Sequence, residues 1–235
     1  MKLSLTLLLA CCVMFSHAQT ISFAEWQEMS EKDMRLLPLF GNKQKNAEQV
    51  ASDEDFVSQT MANGGAPKQA SEHLIGLGFE QLRGGNMVHA MYRFNQAYLV
   101  RPTSTDIYWG YGAFFMTMDR TQEAHDMYKA GLAIDSTNTH LLTAEATAQL
   151  KDRYEYLQED SDRLADRCLA IATKLLTRSY KLDPKNPDTA YKLAVCHEAL
   201  MSCQKAWEFY DLSLKLGVQT SDETFPGQLM KTCPR

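Results

Sequence analysis

The sequence lacks the signatures of common catalytic chemistry. It has no H-E-x-x-H, no G-x-S-x-G, no phosphate-cradling glycine loop and no dinucleotide fingerprint. It has no C-x-x-C pair, and His197 beside Cys196 has no matching second pair, which argues against zinc. Cys196-His197-Glu198 are adjacent on a helix and point in different directions, so they do not converge on a substrate. There is no excess of base: 24 Lys+Arg stand against 29 Asp+Glu, net −5, whereas a nucleic-acid binder carries a basic patch. No stretch is long and apolar enough to be a transmembrane segment. These absences predict a non-enzymatic chain with no metal, no cofactor and no nucleic-acid partner. What is present is a globular composition, 45% hydrophobic and 23% charged.

Residues 1–18 read as an export signal. Lys2 supplies the positive start, LSLTLLLACCVMF the apolar core, and Ser16-His17-Ala18 the small residues before a cut at Gln19. Leu8-Leu9-Ala10-Cys11 superficially matches a bacterial lipoprotein box, but cutting there leaves a short apolar core and a greasy mature start, so anchoring at Cys11 is the weaker reading. The expected location is outside the cytoplasm, in a bacterial periplasm. Four cysteines then remain, at 168, 196, 203 and 233, and an even count in an exported chain permits disulfides.

The organising stretch is Ala90 to Pro102, with Ala90, Phe94, Ala97 and Tyr98 in order. Thirty-four residues on stand Ala124, Tyr128, Gly131 and Leu132. Ala172, Leu176 and Ser179 repeat the pattern, followed by Ala206, Tyr210 and Ser213 at the same period of 34. Small and bulky residues in fixed slots at that period signal stacked helix-turn-helix units, the small ones letting helix backbones approach. Between the second and third copies the gap is 14 residues longer. Adding seven to each of two antiparallel helices makes a hairpin that protrudes by about 10 Å. Glu159-Asp160-Ser161-Asp162 falls at its tip with Ser161 as helix cap, and lacks the glycine and later glutamate of a calcium loop.

These residues resemble the tetratricopeptide repeat family over roughly residues 71–218. The resemblance implies an all-α, right-handed α-solenoid of about four repeats, near 71–104, 105–138, 139–186 and 187–218. Segment 19–66 precedes it as a helical cap or as a segment folded into the groove, and the tail 219–235, with Phe225, Leu229 and Cys233, follows as a cover for the last repeat. Ser22 and Glu25 form a capping box for a helix over about 23–36. A second helix is expected over about 46–62, with Ala47, Val50, Val57 and Met61 on one face and Gly64-Gly65 as its end. Pro67 opens repeat one.

The family also implies protein binding on a concave face lined by the first helix of each repeat. Its groove slots fall here on Ile75, Phe79, Leu82 and Arg83, then Asp106, Trp109, Met116 and Thr117. The third and fourth sets are His140, Thr143, Thr147 and Lys151, and Asp188, Tyr191, Val195 and Glu198. Phe79, Trp109 and Tyr191 would anchor a peptide or partner protein, with Arg83 and Lys151 contacting anions; alternatively Trp109 is core. The basic clamp used by some family members for acidic chaperone tails is not matched, because its slots in repeat one are Ile75 and Phe79. In the repeat frame Cys168, Cys196 and Cys203 lie toward one end of the solenoid. Cys196–Cys203 and Cys168–Cys196 are both open pairings, Cys233 is a free partner on the tail, and the alternative is that these are small core residues.

Overall fold

The computed structural model describes residues 21–62, 66–219 and 224–235. The expected signal segment with Cys11, and the Gly64-Gly65 helix end, lie outside the described residues. Among the described residues are eleven α-helices: α1 Phe23–Lys32, α2 Ala47–Ala62, α3 Pro67–Arg83, α4 Met87–Val100, α5 Asp106–Thr117, α6 Thr121–Ile134, α7 Thr139–Gln158, α8 Asp162–Leu182, α9 Pro187–Ala199, α10 Cys203–Lys215 and α11 Phe225–Thr232. None is long and apolar enough to cross a membrane. Helices α3 to α10 form four successive hairpins, and the first helices of neighbouring hairpins, α3, α5, α7 and α9, lie side by side.

The slots that reveal the repeat are the packing itself. Phe94 of α4 is fully buried, and its ring lies against Gly78 of α3 and Gly110 of α5. A Cβ on either glycine would come within 2.3 and 2.5 Å of that ring. Tyr128 of α6 lies on Gly112 of α5 in the same way, 2.0 Å from a Cβ built there. Missing side chains on one helix thus make the sockets for rings on the next, and each ring buried contributes about 2–3 kcal/mol. Helices α7 and α8 have 20 and 21 residues, where α4, α5, α6, α9 and α10 have 12 to 14, so the extra residues lengthen both arms of one hairpin. At its tip Ser161 occupies the N-cap of α8 without capping it. Its hydroxyl donates instead to the Glu159 carbonyl.

The N-terminal segment departs from expectation in detail. The Ser22–Glu25 capping box is present, but α1 ends at Lys32, short of residue 36. The Asp33 carboxylate accepts the Arg35 N–H and starts a 3-10 turn at Met34–Leu36. A second turn, Pro38–Asn42, has Leu39, Phe40, Gly41 and Asn42 all at φ between 53° and 63°, a left-handed conformation that side chains with a Cβ resist. It is held from outside. Buried Asn95 donates its amide to the Arg35 and Leu37 carbonyls at 2.8 and 2.9 Å, and accepts from Tyr111 Oη at 2.6 Å. On α2 Val50 is exposed, and Phe56 and Met61 are the side chains that reach the core.

The described part of this segment packs on the first hairpin, with contacts to α3 and α4. It runs along α4 to α5, where Trp26 packs on Phe114 and Phe115 with ring centroids 5.4 and 5.6 Å away. Arg120 lies over Phe23 beyond it. At the other end, α11 packs on α9 and α10.

The cysteine pairings suggested by the repeat frame are corrected. Cys203 is bonded to Cys233, and Cys168 and Cys196 are free and buried. Cys196 turns into the core between α8 and α9, away from Cys203, which opens α10 on the side where the tail returns. Burial pushes the Cys196 thiol up to about 11.

Candidate functional site

The groove-side helices bring part of the expected residue set together. Trp109 and Met116 of α5, His140, Thr143 and Thr147 of α7, and Asp188 of α9 line one open cavity of about 410 Å³, with Ala113, Ala144, Tyr128 and Asn186 completing its walls. Trp109 is half-buried and sits in the middle of an aromatic ladder. Phe79 of α3 is 4.2 Å from it between centroids, and His140 stacks on its other side at 4.5 Å and 21°. Three successive hairpins therefore contribute one ring each.

Polar groups at the rim fix the ladder. His140 Nδ1 donates to Asp106 Oδ1 at 3.1 Å, 34 residues back in the same slot of the preceding repeat. Asn138 donates to the same oxygen at 2.7 Å, and its own side-chain oxygen caps α7 at the Leu141 N–H. Burial works to raise the Asp106 pKa, but the His140 and Asn138 bonds outweigh it and hold the carboxyl below its ordinary value. The same bond raises the His140 pKa, favouring a cationic ring on the Trp109 face, an arrangement stabilised by the indole quadrupole.

Other expected groove residues are placed elsewhere. Ile75 and Leu82 are buried in the core, and Arg83 and Thr117 are exposed near the ends of α3 and α5. Lys151 is engaged by Asp119 and Glu155 at 2.5 Å each, so it is not a free anion contact. Tyr191, expected as an anchor, is 7% exposed because Phe225 of α11 lies on it at 5.3 Å. Glu198 is likewise 7% exposed and accepts from Gln228 of the same helix at 3.3 Å, and Val195 packs in that cluster. In the fourth hairpin the tail thus covers Tyr191 and Glu198. Asp188 alone stays at the rim, paired with Lys192.

Two features are absent from the sequence reading. Ala113 and Ala144 shape the cavity by being small; Ala113 falls one turn from Trp109 on the same face, a position visible from helical spacing. The second is a buried charge network, His125 of α6 between Glu145 and Asp152 of α7. Its Nδ1 and Nε2 each lie 2.8 Å from a carboxylate. Burial works to lower the His125 pKa, yet the Asp152 and Glu145 bonds prevail and raise it to about 9. The signal for it was Glu145 inside an otherwise apolar run, LLTAEA. Cys196, His197 and Glu198 do not converge: the thiol is in the core, His197 stacks on Phe209, and Glu198 meets the tail. Among the described residues no group of His, Cys, Asp or Glu could hold a metal ion.

The sequence matches no protein-family model and no curated protein. Among solved structures the chain is similar to TTC0263, a thermophilic TPR protein in Thermus thermophilus, at 14% identity and a TM-score of 0.57, over 69% of this chain and 82% of that one. Lower scores are found with MamA 41-end from Desulfovibrio magneticus RS-1 (15%, 0.44, over 72% and 96%) and with YrrB, a TPR protein with an unusual peptide-binding site (18%, 0.31, over 71% and 98%). At such identities the likeness speaks to the fold, and the chain is accordingly an all-α array of paired helices resembling tetratricopeptide-repeat solenoid proteins.

Proposed function

We propose that this chain is a non-enzymatic protein-binding scaffold that holds a peptide segment of a partner in the groove between α5 and α9. The observation that carries the reading is the Phe79–Trp109–His140 ladder beside an open cavity of about 410 Å³. Half-exposed aromatic side chains next to a recess are what supply most of the energy in peptide recognition. The partner offers an apolar or aromatic anchor for the recess, and the Asp106–His140 pair orients it. The location is an oxidising compartment outside the cytoplasm, most simply a bacterial periplasm. The signal-like residues 1–18 and the Cys203–Cys233 bond support this.

Selection from a peptide library on the purified chain tests the groove. Enriched peptides should lose at least about tenfold in affinity to Trp109→Ala, and less to Phe79→Ala, with the helical spectrum unchanged. Unchanged affinity in both variants rules the groove out.

A second reading, a structural part of an envelope assembly that uses the outer face and the long hairpin, has its own support. Tyr154, Leu157 and Leu164 stand exposed on that hairpin. Deleting residues 155–166 should then abolish assembly while leaving peptide selection intact.

A further inference from the structure

Helix α8 carries a charge pattern that the groove does not use and the fold uses only at Arg178. Arg163, Arg167, Lys174, Arg178 and Lys181 recur at intervals of four, seven, four and three residues, and all are exposed. Those intervals return to one side of the helix, making a single stripe about 27 Å long at 1.5 Å per residue. The acids of α8, Asp162 and Asp166, are confined to its first two turns. Among the described residues none of the five cations has a carboxylate within 4.0 Å; Arg178 donates to Ser136 Oγ at 3.0 Å and helps to hold the Asp135 carboxyl below its ordinary value. The second helices of the adjacent hairpins mix signs on their exposed sides, Asp126 with Lys129 on α6 and Lys205 with Glu208 on α10. In a chain of net charge −5, this stripe is a local inversion.

The stripe borders a shallow trough of about 580 Å³. Ala170, Thr173 and Thr177 form its floor, Leu200 one wall, and Lys174, Arg178 and Lys181 the other. Small residues three and four apart let a second helix lie close, and the cations along the edge repel one another unless an opposite charge is supplied.

We propose that the outer face of α8 docks an acidic amphipathic helix of a partner protein, its carboxylates on the Lys174–Arg178–Lys181 edge and an apolar side chain in the trough against Ala170 and Leu200. Small residues at helical spacing beside a row of cations suit a packed helix. A bilayer would instead require apolar side chains standing above the cations. The face lies across the α7–α8 hairpin from the groove, so it is independent of Trp109.

The test uses the full chain and a fluorescent synthetic helix with glutamates on one side and leucines on the other. Saturable binding is expected, weakened at least about tenfold by high salt and by Lys174→Glu/Arg178→Glu, and unaffected by Trp109→Ala. The double variant should retain the wild-type helical spectrum, since both side chains are exposed. Three outcomes overturn the proposal: no saturable binding; equal binding of a peptide with the same residues scrambled around the helix; or equal binding by the double variant. Capture of phosphatidylglycerol vesicles, lost in the double variant while peptide binding persists, overturns it in favour of a membrane surface.

Discussion

His125 illustrates how much a single residue can set. It is buried between Glu145 and Asp152, and its folded pKa of about 9 lies above the ordinary imidazole value near 6.5. A pKa raised on folding adds stability that is fully present below the unfolded value and is lost as pH rises through the folded one. The chain should therefore lose on the order of 1–3 kcal/mol between about pH 6.5 and pH 9.5. His125→Gln should flatten that slope, as read by urea midpoints across the range. Little of this network was legible in the sequence, because its members are 20 and 27 residues apart and only packing of α6 on α7 joins them. Asn95 was equally hidden. It occupies an interior position of a strongly patterned helix, and its partners are backbone carbonyls nearly 60 residues upstream.

At the level of elements, the hairpins were legible because the signal and the packing are the same thing. A glycine opposite a ring is both a sequence slot and a socket. Gly112→Ala tests the equivalence. Alanine favours a helix by about 1 kcal/mol over glycine, yet here its Cβ would meet the Tyr128 ring at 2.0 Å. Displacing a buried ring costs about 1–3 kcal/mol, so denaturant melts should show net destabilisation, and Tyr128→Leu in the same chain should recover part of it. The long hairpin was legible too, since 14 extra residues of helix-forming sequence between two fixed slots are most simply taken up by lengthening both arms. The N-terminal segment was not. Gly41-Asn42 announces a turn, but nothing in Leu39-Phe40 announces a left-handed backbone, which is imposed by contacts with α4 and α5.

For the whole molecule, the decisive contact is the tail. Helix α11 occupies the fourth repeat's groove positions, with Phe225 on Tyr191 and Gln228 on Glu198. The Cys203–Cys233 bond and the Trp207 Nε1 bond to the Cys233 carbonyl at 2.7 Å hold it there. Reduction, or Cys233→Ser, should lower stability by about 3 kcal/mol through loss of a closed loop with a sequence separation of 30. It should also speed proteolysis within residues 219–235. Unchanged protection of the tail under reducing conditions would show that Phe225 and Leu229 suffice. Of the slots given by the resemblance, Phe79, Trp109 and His140 come together on a face that neighbouring repeats leave open. Tyr191 lies under α11 instead, because repeat grammar carries no information about a tail that is not a repeat.

The Trp26 contact has a consequence for how the array comes apart. A stack in which each unit touches only its neighbours can fray from either end, one unit at a time. Here Trp26, upstream of the first hairpin, is wedged on Phe114 and Phe115 of the second, while the opposite end is covalently tied. The first hairpin cannot peel away without also uncovering the core of the second. The N-terminal strap should therefore couple the first two hairpins into one unfolding unit, and native-state hydrogen exchange should show α3 to α6 opening together rather than fraying hairpin by hairpin.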